Sequence, residues 1–347
     1  MKIALLNLPY DSNYGGNLQR YALMKVLQDM GHDVTHVNLR FSFYLPWYKK
    51  PFSYLKRFLQ KYLLGKDTEI CIERSLRKQY ENQCAATEPF YQRYIKHTEP
   101  ITDIRQLKKL QGFNAYVVGS DQVWRKQMAR KYLFSMFLDF VNASKAKRIA
   151  YGISFGVSEN ELSDKEIEQL SILYQKFDSV SVREDSALEL LKYYRWNNPQ
   201  AIQVLDPTML LKKDDYIRLI KNGNTRPSLG NLFCYILDKS EKINDLILIK
   251  AKELGLTPFS VGIQGDESVS VEQWLRSFWD CKYVITDSYH GLVFAIIFNK
   301  PYLLIRNESR GNARFDAILK LYHHSSSEDK KSLDLLRNES MSFLENI

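Results

Sequence analysis

Short apolar runs alternate with longer amphipathic stretches along almost the whole chain, and this alternation constrains the fold more than any other feature of the sequence. In the first half the runs lie at residues 2–8, 33–39, 115–120, 148–154, 179–183 and 203–205. In the second half they lie at 233–237, 258–261, 283–286 and 302–305. Strand-length segments separated by helix-length segments form βαβ units, which build parallel sheets covered by helices. Six strands suit one doubly wound sheet, and the remaining four suit a second, smaller one. Between them the stretch NGNTRPSLG at 222–230 is rich in Gly, Asn and Pro and lacks apolar periodicity, as a junction does. An α/β chain of two domains is expected, 1–222 and 223–347, and 347 residues suffice for both.

Charge and composition narrow the class. No apolar run approaches the roughly 20 residues of a membrane-spanning helix, and the short run after Lys2 reads as a buried first strand rather than a secretion signal. The expected location is the cytoplasm. The cysteines at 71, 84, 234 and 281 form no Cys-x-x-Cys pair and have no histidine at zinc-site spacing, so no metal is expected. Net charge is +9, yet no nucleic-acid-binding signature accompanies it. Anionic substrates or an anionic membrane surface would suit the same charge.

One segment breaks the alternation. Residues 40–66 hold seven Lys or Arg, nine aromatic residues and no acidic residue. From Pro51 onward the segment reads as an amphipathic helix with a basic face. It suits peripheral attachment to the inner face of an anionic membrane, aromatics inserted and lysines snorkelling. Its alternative is an insertion that packs its aromatics on its own domain.

Four strand ends carry polar clusters. After the first strand, Asn13, Tyr14, Gly15, Gly16 and Asn17 lead into a helix; the paired glycines permit close approach to a ligand, and the helix N-terminus favours an anion or a hydroxyl. The glycine spacing is not that of a dinucleotide fingerprint. After the third strand, Gly119, Ser120, Asp121 and Trp124 stand where parallel sheets bind ligands. Asp121 is a candidate general base, and both it and Ser120 are also candidate N-caps. Trp124 is read as a packing residue before a sugar-stacking one. Arg183 ends the fifth strand, suited either to fork onto a carboxylate or phosphate or to pair with Glu184 or Asp206. Asp206 and Pro207 read as a turn. The strongest cluster is Thr286, Asp287, Ser288, Tyr289, His290 and Gly291, ahead of an apolar helix expected over 292–298. Asp287 or Ser288 caps that helix, and His290 is suited to anion binding or proton transfer near neutral pH.

The blocks NYGGNLQRYAL, VGSDQVW, AYGISFG, SVRE, VLDPT and TDSYHGLVFAIIFNKP, in this order, resemble the polysaccharide pyruvyl transferase family. The resemblance implies a glycosyltransferase-B-like fold, two Rossmann-like domains facing a cleft, the first on the acceptor side and the second on the donor side. A C-terminal helix within about 325–347 that crosses back to the first domain is common in such folds. The resemblance implies transfer of the pyruvyl group of phosphoenolpyruvate to two hydroxyls of one sugar, on a surface polysaccharide or its lipid-linked precursor, without a cofactor. It places Arg183 and His290 on the donor, with Ser288 and Gly291 adding N–H groups, and Asn17 and Asp121 facing the acceptor. One of Arg306, Arg310 and Arg314 closes on the donor in the same picture. Where several members carry Arg-Leu before the histidine, this chain has Ser288 and Tyr289, so a charge is missing from the donor side.

Two rivals remain at this level. A sugar-nucleotide-dependent glycosyltransferase would share the fold, with Asp266 or Glu267 offered to a ribose. A non-catalytic scaffold of a polysaccharide assembly would use residues 40–66 for docking and keep a vestigial cleft.

Overall fold

The computed structural model describes residues 1–142, 145–263, 268–306, 313–323 and 333–347. Ten strands are present among them: β1 (Lys2–Leu6), β2 (Asp33–His36), β3 (Ala115–Val118), β4 (Lys147–Ile153), β5 (Ser179–Val182), β6 (Ile202–Gln203), β7 (Leu232–Tyr235), β8 (Pro258–Phe259), β9 (Tyr283–Thr286) and β10 (Tyr302–Leu304). Each coincides with one of the ten runs expected from the sequence and is shorter than or equal to it. The polar residues at the carboxyl end of most runs leave the ladder and enter loops.

All pairings are parallel. The first sheet has the order β2-β1-β3-β4-β5-β6 and the second β10-β9-β7-β8. β1, β3 and β7 are buried over nearly their whole length, because helices cover both faces of each sheet. In the first sheet the connections reverse direction between β1 and β3, and in the second between β7 and β9. Open parallel sheets bind ligands at the carboxyl ends of such reversal points.

The two sheets share one apolar core. Leu5, Tyr14 and Leu18 belong to the same buried cluster as Trp274, Phe294 and Phe315. The Tyr14 ring stacks on Trp274 at 5.3 Å with an interplanar angle of 2°, and its hydroxyl donates to the Val269 carbonyl at 2.9 Å. The helix Tyr14–Asp29, which follows β1, is therefore the keel of the molecule: its first turn sits where the sheets meet. Near the chain's end, the helix Leu333–Glu345 packs on the loop and short helix that follow β6. Ser340 Oγ accepts from the Leu205 N–H at 2.9 Å, and Arg337 Nε donates to the Met209 carbonyl at 2.9 Å.

Candidate active site between the sheets

Arg183, just past β5, is 3% exposed and is held by carboxylates on several sides. One terminal nitrogen donates to Asp206 Oδ2 at 2.7 Å and the other to Asp121 Oδ1 at 3.3 Å, while Nε lies 3.6 Å from Glu184 Oε2. The guanidinium also lies over the Tyr289 ring, 4.6 Å from its centroid. Burial alone would lower its pKa, but the fields of Tyr289, Asp206, Asp121 and Glu184 outweigh that and raise it. The pairings that the sequence offered as alternatives to ligand binding, with Glu184 and with Asp206, are thus both in place.

Asp206 is the hub. Its Oδ2 accepts from Gln19 Nε2 at 2.6 Å as well as from Arg183, and it lies 3.8 Å from His290 Nε2. Its Oδ1 accepts from the Thr208 N–H at 3.0 Å and the Thr208 hydroxyl at 2.6 Å, so the residue also caps the short helix Pro207–Leu210. Burial pushes this carboxyl up, yet Arg183, His290 and the Thr208 hydrogen bonds together bring it below its ordinary value. The sequence read Asp206 as a turn and as a candidate partner of Arg183, but not as the group on which Gln19 and His290 also converge. The available signal was its place at the carboxyl end of β6, beside the strand that ends in Arg183. Gln19 was not singled out at all.

His290 comes from the second sheet. It lies in the first turn of the helix Tyr289–Ile297, which begins three residues earlier than expected. Ser288 caps that helix, accepting from the Gly291 N–H at 3.4 Å. Asp287 does not: its two oxygens accept from the N–H groups of Leu237 and Asp238 at 2.7 and 2.9 Å, tying the ends of β7 and β9 together at the reversal point. Two glycines permit the close packing here. A Cβ on Gly15 would stand 2.1 Å from His290 Nδ1, and one on Gly291 2.1 Å from Thr286 Oγ1. Gly15, at the keel's first turn, is thus the seat of the histidine ring. Gly16 has no such neighbour; its N–H donates to the Asn13 cap at 3.0 Å.

Other sequence candidates are engaged within the protein. Asn17 Nδ2 donates to the carbonyls of Asp11 and Asn13 at 3.2 and 3.0 Å. Ser120 Oγ donates to the Gly152 carbonyl at 2.8 Å. Trp124 is 1% exposed, stacks on Phe137 at 4.4 Å and donates to the Met136 carbonyl at 3.0 Å, which is the packing role. Asp121 sits in the left-handed backbone region at φ 77°, with its side chain 26% exposed. Asp11 lies near enough to feel it: burial raises the Asp11 carboxyl, Arg20 and the Asn13 N–H oppose that, and Asp121 adds to the rise. Arg306 pairs with Asp316 at 2.7 Å. Arg310, the Arg314 side chain and residues 264–267, including Asp266 and Glu267, lie outside the described residues. Among the described residues no group of three His, Cys, Asp or Glu is arranged to hold a metal ion.

One small cavity touches this arrangement and a larger one lies elsewhere in the first domain. A gap of about 10 Å³ is bounded by Arg183, Asp206, Tyr289, Ala317 and Ile318, so the Arg183 side is nearly filled. A larger cavity of about 760 Å³ lies beyond the loop after β1, lined by Phe41, Phe43, Tyr44, Arg77, Tyr80 and Glu88 among others. Tyr80 joins that cavity to the loop by donating to the Tyr10 carbonyl at 2.8 Å.

Two parallel sheets with a polar cluster at their meeting point define an α/β protein of the glycosyltransferase-B-like kind. The chain belongs to the polysaccharide pyruvyl transferase family, whose pattern it matches over residues 13–309. No curated protein matches the sequence. A UDP-N-acetylglucosamine 2-epimerase is similar in fold, with a TM-score of 0.50 and 9% identity over 100% of this chain and 90% of its own. An MnaA–UDP structure from S. aureus aligns at a TM-score of 0.47 with 11% identity, over 100% of this chain and 94% of that one. The spinosyn rhamnosyltransferase SpnG aligns at 0.38 with 12% identity, over 99% of this chain and 92% of that one.

Proposed function

We propose that this protein transfers the pyruvyl group of phosphoenolpyruvate to two hydroxyls of one sugar, on a surface polysaccharide or its lipid-linked precursor. The observation that carries the proposal is the convergence on Asp206 of Arg183, from the first sheet, and His290, from the second. A donor with a carboxylate and a phosphate needs two cations on one small molecule. Here a guanidinium and an imidazole, contributed by different sheets, share a single carboxylate.

In this mechanism the donor carboxylate takes the outer terminal nitrogen of Arg183, displacing Asp121 from its 3.3 Å contact. Asp206 keeps the inner nitrogen, as a buried counter-ion that fixes the fork's plane. Protonated His290 binds the phosphate, helped by the dipole of the helix it begins. His290 gives its proton to C3 of the enol, and C2 becomes electrophilic. One sugar hydroxyl attacks C2 and loses its proton to Asp121. The C2–O bond to phosphate breaks, phosphate leaves with the electron pair, and the second hydroxyl closes the ring with loss of its own proton. Phosphoenolpyruvate and a diol thus become a ketal and inorganic phosphate. The 10 Å³ gap is too small for the donor, so binding requires Asp121 or the helix Ala313–His323 to give way. The acceptor side is assigned to residues 1–222, with the aromatic and charged walls of the 760 Å³ cavity suited to a sugar. The donor side is assigned to residues 223–347, with Arg183 reaching the donor from the first domain.

The test is incubation of the protein with extracted lipid-linked glycans and either phosphoenolpyruvate or a UDP-sugar, read by mass spectrometry and phosphate release. Ketal-bearing glycan and stoichiometric phosphate are expected, both abolished in Asp121→Asn. Glycan that gains a sugar from a UDP-sugar instead would overturn the donor assignment.

A further inference from the structure

The helix Lys50–Tyr62 has no buried residue. Phe52, Leu55, Leu59 and Tyr62 recur at the spacing of one helical face, and all four are exposed, Phe52 at 77%. Leu63 at 73% and Trp47 at 79% extend this face at its two ends. The side turned toward the protein carries charge instead. Arg57, on the opposite side of the helix, pairs with Glu73 at 2.7 Å and donates to the Ile70 carbonyl at 3.0 Å. An amphipathic surface helix ordinarily buries its apolar stripe; this one leaves the stripe exposed and turns Ser53, Tyr54, Arg57 and Gln60 toward the protein. Phe41 and Phe43, which precede it, touch the Tyr80 ring at 5.8 and 5.4 Å, though Phe41 stays 36% exposed. Tyr44, Trp47 and Tyr48, between these two residues and the helix, are exposed, so ring contacts with the domain are confined to the first residues of the segment.

We propose that this face docks the protein on an anionic lipid surface. The choice of occupant rests on charge. Residues 40–66 contain no acidic side chain, and the exposed Lys49, Lys56, Lys61 and Lys66 accompany the apolar stripe. Exposed acidic residues begin only beyond the segment, at Asp67 and Glu69, and Glu73 is committed to Arg57. A stripe of Phe, Leu and Tyr with Trp at one end and lysines around it matches the acyl boundary and the headgroups of such a surface. A protein partner would need its own acidic groove to suit the same lysines. Placement agrees: the segment follows β2, an edge strand, at the same end of the sheet as Asp121, Arg183 and Asp206. With three strands between β2 and β5, the docked edge stands about 20 Å from Arg183. Docking of this face is independent of the donor chemistry and stands or falls without it.

The experiment uses the full chain and vesicles of phosphatidylcholine with and without phosphatidylglycerol, read by co-sedimentation and tryptophan emission. Trp47 is the exposed indole, whereas Trp124, Trp196 and Trp274 are buried. Expected is salt-sensitive binding to the phosphatidylglycerol vesicles, with an emission shift quenched by brominated acyl chains and absent in Trp47→Phe. The triple variant Phe52→Ser, Leu55→Ser, Leu59→Ser should bind at least about tenfold more weakly while keeping its thermal transition, because all three side chains are exposed and none belongs to a core cluster. Protein that remains in the supernatant overturns the proposal. Equal binding to both vesicle types removes its anionic character. A concentration-dependent dimer that the triple variant abolishes, without vesicle binding, makes the face an interface between copies instead.

Discussion

Around Arg183 the protein buries charge, and along Lys50–Tyr62 it exposes apolar surface. At the first place one guanidinium, 3% exposed, meets Asp206, Asp121 and Glu184. At the second, five consecutive stripe residues from Phe52 to Leu63 face outward while Arg57 turns in. Both invert the usual partition of side chains, and both cost stability in isolation. Their costs are met differently. The buried charges compensate one another, so the cluster is stable as a unit and fragile when any member is lost. The exposed stripe has no compensation within the chain, so its members can be removed at little cost.

Mutations should separate the two regions sharply. The largest effect is expected from Arg183→Ala, which strands three carboxylates and should cost about 3–5 kcal/mol in denaturant unfolding. Loss of less than about 1 kcal/mol would mean that the carboxylates are not held by this cation. Gly15→Ala comes next: its Cβ would overlap His290, and displacing the ring should cost about 1–3 kcal/mol and weaken donor binding.

The third effect is on pH dependence. The Asp206 carboxyl is lowered in the folded state, so its contribution is present above the ordinary value near 3.8 and is lost as pH falls through the lower folded value. Asp206→Asn should therefore unfold with a shallower loss of stability below about pH 4 than the wild type. An identical slope in both proteins would remove Asp206 from the charge network. The smallest effect is expected at the other region. Phe52→Ser should stay within about 0.5 kcal/mol of the wild type in vesicle-free buffer. A large loss would show that the helix packs against something after all.

The sheets were legible because their signal is local. Period and composition place a strand wherever a short apolar run is bounded by Gly, Asn or Pro, and all ten runs became strands. Ser288 as a cap was legible for the same reason. The hub was only half legible. Arg183 and His290 stood out as cations at strand ends, but Gln19 and Asp206 meet across 187 residues, and no spacing rule carries that distance. Nor does sequence show what a polar group is spent on: Asp287 stood out as strongly as His290, yet its oxygens staple β7 to β9. Amphipathicity in residues 40–66 was visible as a pattern. Which face it turns outward was not, because the partner of the inward face, Glu73, lies on the next helix, Ile72–Cys84.

Titration calorimetry can show whether the Arg183–Asp206–His290 cluster receives phosphoenolpyruvate, as proposed. Phosphoenolpyruvate and UDP-N-acetylglucosamine would each be titrated into the wild type and into His290→Ala, after circular dichroism has shown the variant folded. Saturable binding of phosphoenolpyruvate to the wild type, lost in the variant and not matched by the UDP-sugar, is the predicted result. Saturable binding of the UDP-sugar with none of phosphoenolpyruvate would contradict it.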